Sequence, residues 1–301
     1  MRLESLQYFV VTADCRSMTL SSKVLHVSQQ CISKEIKQLE NELAVQLFVR
    51  SKSGVALTAD GAQAYQKASH ILQEVGALSQ LFSHQPPECT LSLGSYIGYK
   101  RHIETILSIF GGLHPEIVVE EYYSSTEQLE HELQSQSIDL ALRQLEKDSI
   151  TDGALPAGYE HIILLEEPAQ LLANTTPANA SLTSFSLTRL AEYPILFYCD
   201  STQEIPLYQR IAKRYCDQLN VLYKGNNLEK SWNLFKNKNA IVIITKSLSI
   251  MTPNILSTHF VPLEEDIPIS TILSVKSELL SAPGPSDLAD IAQAFFQQFA
   301  S

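Results

Sequence analysis

A set of small, amide and basic side chains recurs close to the start of the chain. From Ser28 onwards apolar residues recur with spacings of four, three and four, at Ile32, Ile36, Leu39 and Leu43. That period predicts a helix with one buried stripe. At about 100° per residue, the opposite side of this helix is polar. Its members are Gln30, Ser33, Lys34 and Lys37, with Gln29 at the shoulder of this face and Ser28 as the expected N-cap of the helix.

These side-chain types could read duplex DNA. An amide such as that of Gln30 pairs with adenine in two places, and an ammonium such as that of Lys34 reaches guanine or phosphate. A small residue such as Ser33 lets a helix sit deep in the major groove. The alternative is that this side is the solvated face of an ordinary three-helix bundle.

The elements around this helix favour DNA binding. The apolar spacing predicts a helix over 3–14, and the hydroxyls of Ser17 and Thr19 can cap a short second helix that runs to Leu25. A tight turn at 26–28 leads into the polar-faced helix. This succession matches the docking geometry of a helix-turn-helix.

The segment that follows is predicted to form a two-stranded wing. Residues 43–50 and 51–58 form two short strands around a Lys/Ser/Gly turn. The hairpin carries Arg50 and Lys52. Such cations lie over the DNA backbone beside a recognition helix and add affinity that does not depend on base sequence.

Over roughly sixty residues, without a gap, the chain resembles the LysR-type transcriptional regulators. The resemblance rests on LQYF at 6–9, SMT at 17–19, LHVSQ at 25–29, SKEIKQLE at 33–40, EL at 42–43, LFVR at 47–50 and LTADG at 57–61. It implies a winged helix-turn-helix in which Arg50 serves the wing. It also implies which side chains approach DNA: Ser28, Gln29, Ser33, Lys34 and Lys37.

The chain departs from the family pattern at several positions in this segment. Gln30 and Cys31 stand where the family usually has Pro-Ala, and Glu35 stands where Gln or Arg is common. Ala44 replaces a usual Gly, and Ser53 replaces a usual Arg. We expect the lost wing cation and the added acid to weaken the attraction to phosphate.

A long helix is predicted after the wing. Between residues 58 and 83 there is no proline, and Pro86-Pro87 end the segment. Its apolar residues follow the heptad period of a two-stranded coiled coil, at Ala64, Ala68, Ile71, Val75, Leu78 and Phe82. The stripe predicts packing on a second copy of the chain, and packing on its own domain is the alternative. The resemblance implies a homodimer or homotetramer.

The rest of the chain alternates strands and helices, which predicts an open parallel sheet. Strands are predicted at 90–94, 115–120, 138–142, 164–172, 194–198, 221–223, 240–244 and 269–275, and helices at 101–111, 129–136 and 287–299. LGS at 93–95, HPEI at 114–117 and IDLAL at 138–142 extend the resemblance to the family's effector domain. It implies an α/β fold of two lobes, shaped like a periplasmic binding protein.

These patterns divide the chain into four segments. A winged helix-turn-helix is expected over 1–57, a linker and dimerisation helix over 58–84, a hinge over 85–89 and a regulatory domain over 90–301. Lobe I comprises about 90–161 and 266–301, and lobe II about 162–265.

Ligands of such sheets bind at the carboxyl ends of strands. Hydroxyls near helix N-termini suit a carboxylate or similar anion, and Arg143 could pair with it. The predicted effector-binding residues are Ser95, Tyr96, Ser124, Ser125, Thr126, Arg143, Asp200, Ser201, Thr202 and Asn226. Ordinary helix capping by the hydroxyl residues is the alternative. Asn237–Ala240 replaces the family's Gly-rich stretch near the late strand, and Ile244-Thr245 its usual Leu-Pro.

Length and composition exclude several classes of protein. A chain of 301 residues that is 45% hydrophobic and 18% charged is neither a collagen nor a disordered tail. The net charge is −11, but the first 84 residues carry +1, so DNA binding must use a local surface.

We see no signal peptide and no apolar run near the ~20 residues that span a bilayer. A cytoplasmic location with no membrane partner is expected.

Three other functions stay open. Tyr96 and Lys100 have the Tyr-x-x-x-Lys spacing of short-chain dehydrogenases, although GxGxxG, GxSxG and HExxH are absent from the sequence. Some members of the family that the chain resembles switch by joining two cysteines of the effector domain, where Cys199 and Cys216 both lie, although the five cysteines contain no CxxC and are expected to be reduced. The third function is that of a solute receptor, for which the first 84 residues would be dispensable.

Taken together, the residues and the resemblance predict a regulator rather than an enzyme. We expect no cofactor and no metal. The expected partners are double-stranded promoter DNA, a small and anionic organic effector, and RNA polymerase indirectly.

Overall fold

The computed structural model describes residues 2–15, 17–25, 27–51, 54–82, 89–124, 126–151, 155–176, 179–199, 205–225, 227–248 and 258–299. Its internal contacts divide the chain into two units. The first comprises residues 1–91, 103–119 and 281–298, and the second comprises 92–102, 120–280 and 299–301. In the part of the chain that the structure describes, none of the helices combines the length and apolarity needed to cross a bilayer.

The first unit contains the predicted helix-turn-helix and wing. Its elements are α1 (Leu3–Cys15), α2 (Met18–Val24), α3 (Gln29–Leu43), β1 (Phe48–Ser51), β2 (Gly54–Leu57) and α4 (Ala59–Phe82). The two wing strands are antiparallel, with Phe48 opposite Leu57. Ile32 and Ile36 on α3 are buried, and the ring of Phe9 on α1 meets that of Phe48 edge-on at 5.4 Å.

The recognition helix runs through Leu43, as its apolar spacing predicts, and the wing is therefore shorter than predicted. α3 continues to Leu43, and Ala44 then adopts a left-handed conformation with φ 55°. The amide of Ala44 closes the last turn on the carbonyls of Glu40 and Asn41. The first strand begins at Phe48, and its predicted start at residue 43 was wrong because the helix continues through Leu43, which is 40% exposed.

Part of the predicted apolar stripe of α4 packs against other elements of the first unit. Thr58 caps its start, since the hydroxyl accepts from the amide of Gly61 at 2.8 Å. Tyr65 donates a hydrogen bond to Asp14 of α1 at 2.5 Å, and Ala68 is 3% exposed. Ile71 is 38% exposed. The side chains of Leu78 and Phe82 lie outside the described residues, so packing on a second copy stays a prediction.

Two further helices contribute to the first unit. These are α5 (Lys100–Leu113), from Ile103 onwards, and α10 (Pro283–Phe296). His114, directly after α5, contacts the carboxylate of Asp287 on α10 at 2.7 Å.

The second unit is built on two five-stranded sheets. The first sheet has the order β4-β3-β5-β12-β6 and the second has the order β11-β7-β10-β8-β9. The strands are β3 (Cys89–Ser95), β4 (Ile117–Tyr123), β5 (Leu140–Glu146), β6 (Tyr159–Pro168), β7 (Gln170–Asn174), β8 (Ile195–Tyr198), β9 (Val221–Gly225), β10 (Ile241–Ile244), β11 (Thr258–Pro262) and β12 (Pro268–Lys276). The helices are α6 (Thr126–Gln134), α7 (Lys147–Thr151), α8 (Leu207–Tyr215) and α9 (Leu228–Asn237). The two-lobed α/β architecture is confirmed.

The sheets are mixed, so the prediction of a wholly parallel sheet was wrong. β3 pairs in parallel with β5, and β8 pairs in parallel with β9 and β10. β12 is antiparallel to both β5 and β6, and β7 is antiparallel to β10. The strand predicted at 164–172 is two strands that meet at Ala169 and belong to different sheets. A continuous apolar run does not reveal where the chain changes sheets.

Candidate nucleic-acid interface and ligand pocket

Helix α3 presents the predicted polar side chains to solvent. Gln30, Lys34 and Lys37 are exposed, and Ser33 is half-buried. The opposite stripe of Ile32, Ile36 and Leu39 is at most 2% exposed. Burial of this stripe sets the rotation of the helix, because apolar side chains leave water together.

The start of α3 is fixed by a side-chain cap and by a contact with α2. The hydroxyl of Ser28 accepts a hydrogen bond from the amide of Cys31 at 3.2 Å. The amide of Gln29 donates to the hydroxyl of Thr19 at 3.0 Å, and both Ser28 and Gln29 are exposed. These two bonds hold the first turn, whose residues enter the major groove in proteins of this docking type.

The added acid of this helix, Glu35, faces inwards. Its carboxylate accepts a hydrogen bond from the hydroxyl of Ser5 on α1 at 2.8 Å. We expected Glu35 to weaken phosphate attraction. The bond to Ser5 holds the half-buried Glu35 carboxylate against α1.

Glu40 joins the recognition helix to the wing, a role that the helical pattern did not indicate. One oxygen of its carboxylate accepts from the amides of Leu47 and Phe48, at 2.8 and 3.3 Å. Hydrogen bonds to a charged acceptor are among the stronger ones in proteins. The backbone of Arg50 lies in β1, whereas its side chain and all of Lys52 lie outside the described residues.

The second unit contains an apolar pocket between α9 and the second sheet. Its volume is about 100 Å³. The walls include Trp232 and Phe235, whose rings stack at 5.2 Å, together with Leu172 and Val242. Of the predicted effector-binding residues that the structure describes, only Tyr96 lines it.

The tyrosine hydroxyls around this pocket are bonded to the protein itself. Tyr96 donates to the carbonyl of Tyr198 at 3.0 Å, and Tyr208 donates to the side chain of Gln144 at 2.8 Å. Burial raises the pKa of Tyr208 well above its usual value, so this hydroxyl stays neutral.

Arg143 is not available to an anion in the pocket, which corrects the expectation. The predicted strand ended at residue 142, but β5 continues to Glu146 because β12 pairs along its whole length. Arg143 therefore lies within the strand and not after it. Its side chain is 1% exposed and forms an ion pair with Glu130 of α6. Burial lowers the pKa of the guanidinium, and Glu130 opposes that shift.

Among the described residues, the other members of the predicted effector-binding set do not converge on one site. Ser95 is fully buried and donates to the carbonyl of Tyr96, while its own carbonyl accepts from the amide of Ser124. Thr126 lines a different cleft, which also contains Arg143 and Glu130. Several of the set lie outside the described residues: Ser125, Asp200, Ser201, Thr202 and Asn226.

Just before β10, the backbone adopts a left-handed conformation at a residue that is not glycine. Asn239, in the stretch that replaces the family's Gly-rich segment, has φ 52°. Asn tolerates this left-handed region better than most residues do.

The two alternative chemistries find little support in the geometry. The ammonium of Lys100 lies over the ring of Tyr123, 5.7 Å from its centre, and the Tyr96 hydroxyl is donated to a carbonyl. Both Cys199 and Cys216 are free thiols, and Cys199 is 1% exposed. A thiol switch needs accessible thiolates.

The fold and the exposed side of α3 define a winged helix-turn-helix protein with a two-lobed α/β module. Residues 3–62 match the family model described as bacterial regulatory helix-turn-helix protein, lysR family. Among curated proteins, the HTH-type transcriptional regulator CzcR of Bacillus cereus is 34% identical over 140 residues. That match covers 46% of this chain and 48% of the relative, so the chain spans about half the length of the curated relatives it matches.

Two solved structures share the fold along the whole chain. Full-length BenM has a TM-score of 0.53 at 20% identity, and the match covers 100% of this chain and 97% of that one. A full-length OxyR variant from Pseudomonas aeruginosa has a TM-score of 0.51 at 19% identity, covering 98% and 99%. Over residues 3–62 the chain is thus similar to the LysR family of regulators, and its overall fold is shared with full-length members of that family.

Proposed function

We propose that the chain is a transcriptional regulator that binds promoter DNA through α3 and the wing. The observation that carries this proposal is the exposure of Gln30, Lys34 and Lys37 opposite a buried stripe on one helix. In this role Gln29 and Gln30 read base edges, and Ser28 and the lysines contact phosphate or guanine. Ser33 allows close approach of the helix. Arg50 and Lys52 add contacts to the backbone from the wing.

We infer that the regulator acts as a homodimer or homotetramer. The exposed Ile71 continues the heptad spacing of α4 beyond the part that packs on α1. Two copies joined by this helix would present two recognition helices to a near-palindromic site. In this proposal 1–57 binds DNA, 58–84 dimerises, 85–89 is a hinge and 90–301 regulates.

The regulatory part is proposed to bind a small organic effector. A ligand with different affinities for two arrangements of the lobes shifts the balance between them, and DNA bending and access of RNA polymerase follow. Such a role places the protein beside the chromosome, in the bacterial cytoplasm. Chemistry on the bound molecule forms no part of the proposal.

The DNA-binding proposal is tested with duplexes selected by the protein itself. The purified chain is used to enrich binding sites from a pool of random double-stranded oligonucleotides. Binding of the enriched duplex is then measured by gel retardation for wild type, Lys34→Ala and Lys67→Ala. Lys67 is the matched control, because it is an exposed lysine on α4, outside the recognition face.

We expect Lys34→Ala to weaken binding by about 1–3 kcal/mol, which is roughly tenfold or more. Lys67→Ala should stay within about twofold of wild type. If no duplex is enriched, or if Lys34→Ala binds as well as wild type, the proposed interface is wrong.

A further inference from the structure

We propose that the effector is an uncharged, largely apolar molecule about the size of one aromatic ring, and that it binds in the pocket walled by Trp232 and Phe235. This inference rests on the proposed function and names the ligand class of its regulatory part. It replaces the expected anionic effector.

The described lining residues of the pocket offer an anion no charged partner. Among its lining residues in the described chain there is no Asp, Glu, Lys or Arg. Arg143, the cation that the sequence pattern predicted for the effector site, forms an ion pair with Glu130 in a different cleft. A carboxylate in this pocket would lose its hydration without gaining a charged partner, which is strongly unfavourable.

Two of the hydroxyls in the pocket lining are bonded within the protein. The hydroxyl of Tyr96 is held by the carbonyl of Tyr198, and that of Tyr208 by Gln144. Most of the pocket surface is formed by rings and aliphatic groups, including Leu172, Val242 and the stacked rings of α9. This surface favours a ligand that gains mainly from leaving water.

The dimensions limit the size of the ligand. The pocket volume is about 100 Å³, and an apolar protein cavity of ~150 Å³ holds benzene. This comparison sets about one ring as the upper limit of ligand size, and a fused polycyclic molecule would require rearrangement of the walls.

A chain of hydrogen bonds connects the pocket rim to the first sheet. Gln144 of β5 accepts from Tyr208 and donates to Thr245, which directly follows β10, at 3.0 Å. Ser247 follows and donates to the carboxylate of Glu167 on β6. Because these bonds join both sheets, displacement of Tyr208 by a ligand would be transmitted to the first sheet.

The position of the single tryptophan allows a direct test. The chain contains one tryptophan, Trp232, and a bromine atom in contact with an indole quenches its fluorescence. We titrate the full-length protein with bromobenzene and, as the charged counterpart of the same ring, with 4-bromobenzoate. Each titration is repeated with Val242→Phe, which fills the pocket, and with Val221→Phe. Val221 is the matched control, because it is 40% exposed on β9 and does not line the pocket.

Bromobenzene should quench Trp232 with saturation and raise the melting temperature by about 2–4 °C. 4-Bromobenzoate should bind at least about tenfold more weakly. Val242→Phe should abolish the saturable quenching, while Val221→Phe should retain it. If 4-bromobenzoate saturates at an equal or lower concentration, or if neither compound saturates up to its solubility, the inference is wrong. Gel retardation without ligand reports separately on DNA binding, so a failure here is distinct from a failure of the proposed function.

Discussion

Replacement of Ala44 by glycine should stabilise the winged helix-turn-helix. Ala44 follows the recognition helix with φ 55° and ψ 29°, in the left-handed region that an L-residue with a Cβ adopts at a cost. Its side chain is exposed, so removal of the methyl group loses little packing. The position is the corner between α3 and the wing.

The expected gain follows from two opposing contributions. The left-handed conformation costs an alanine about 1–2 kcal/mol. Glycine avoids that cost but loses about 0.5–1 kcal/mol more backbone entropy on folding. The net stabilisation is therefore about 0.5–1 kcal/mol, which corresponds to a roughly two- to fivefold change in an opening equilibrium.

Hydrogen exchange measured peptide by peptide reports this change locally. In Ala44→Gly, the amides of α3 and β1 should exchange about two to five times more slowly than in wild type. Gln136→Gly is the matched control, because Gln136 also has φ 55° but lies after α6 in the other unit. Its effect should appear in peptides from α6 and β5. If Ala44→Gly leaves α3 unchanged or speeds its exchange, the backbone argument is refuted.

Two further predictions concern buried charges. Burial raises the pKa of Asp14 from 3.8 to about 6. The folded state thus holds this proton more tightly than the unfolded chain does, and the resulting stability, complete below about pH 4, is lost as the pH rises to about 6. In urea titrations, the unfolding free energy of wild type should therefore fall over this range relative to Asp14→Asn, and a constant difference would contradict the shift. Glu130→Ala leaves the Arg143 guanidinium buried and unpaired, which should destabilise the regulatory part by about 3–5 kcal/mol. A second substitution, Arg143→Met, should recover most of this loss, and a double variant as unstable as Glu130→Ala would exclude that explanation.

Local patterns were sufficient to predict the DNA-binding segment. The spacing of Ile32, Ile36 and Leu39 places the polar residues on the other side of α3, because both sets follow the same helical period. Ser28 is a favourable capping residue wherever a helix starts after it, and it caps α3 as predicted. The wing follows from turn residues between short apolar runs.

Side-chain partners distant in sequence could not be predicted in the same way. The inward position of Glu35 depends on Ser5, thirty residues earlier, and the role of Glu40 depends on amides that come close only when the wing folds back. A helical period assigns each residue to a side of the helix. It does not tell which atoms of another element will meet that side.

In the regulatory part, too, the strands could be predicted from the sequence but their partners could not. Most strands were predicted from their apolar runs. Such a run does not show which other strands will pair with it, so the antiparallel pairing of β12 and the change of sheet at Ala169 were missed. Pairing with β12 extends β5 through Arg143 and places that side chain against Glu130. The amino-acid sequence thus determined which elements form and which side chains they carry, since those properties depend on near neighbours along the chain. The tertiary structure alone decided which charges are cancelled and that an apolar pocket stands where an anion was expected, because both depend on contacts between residues far apart in the sequence.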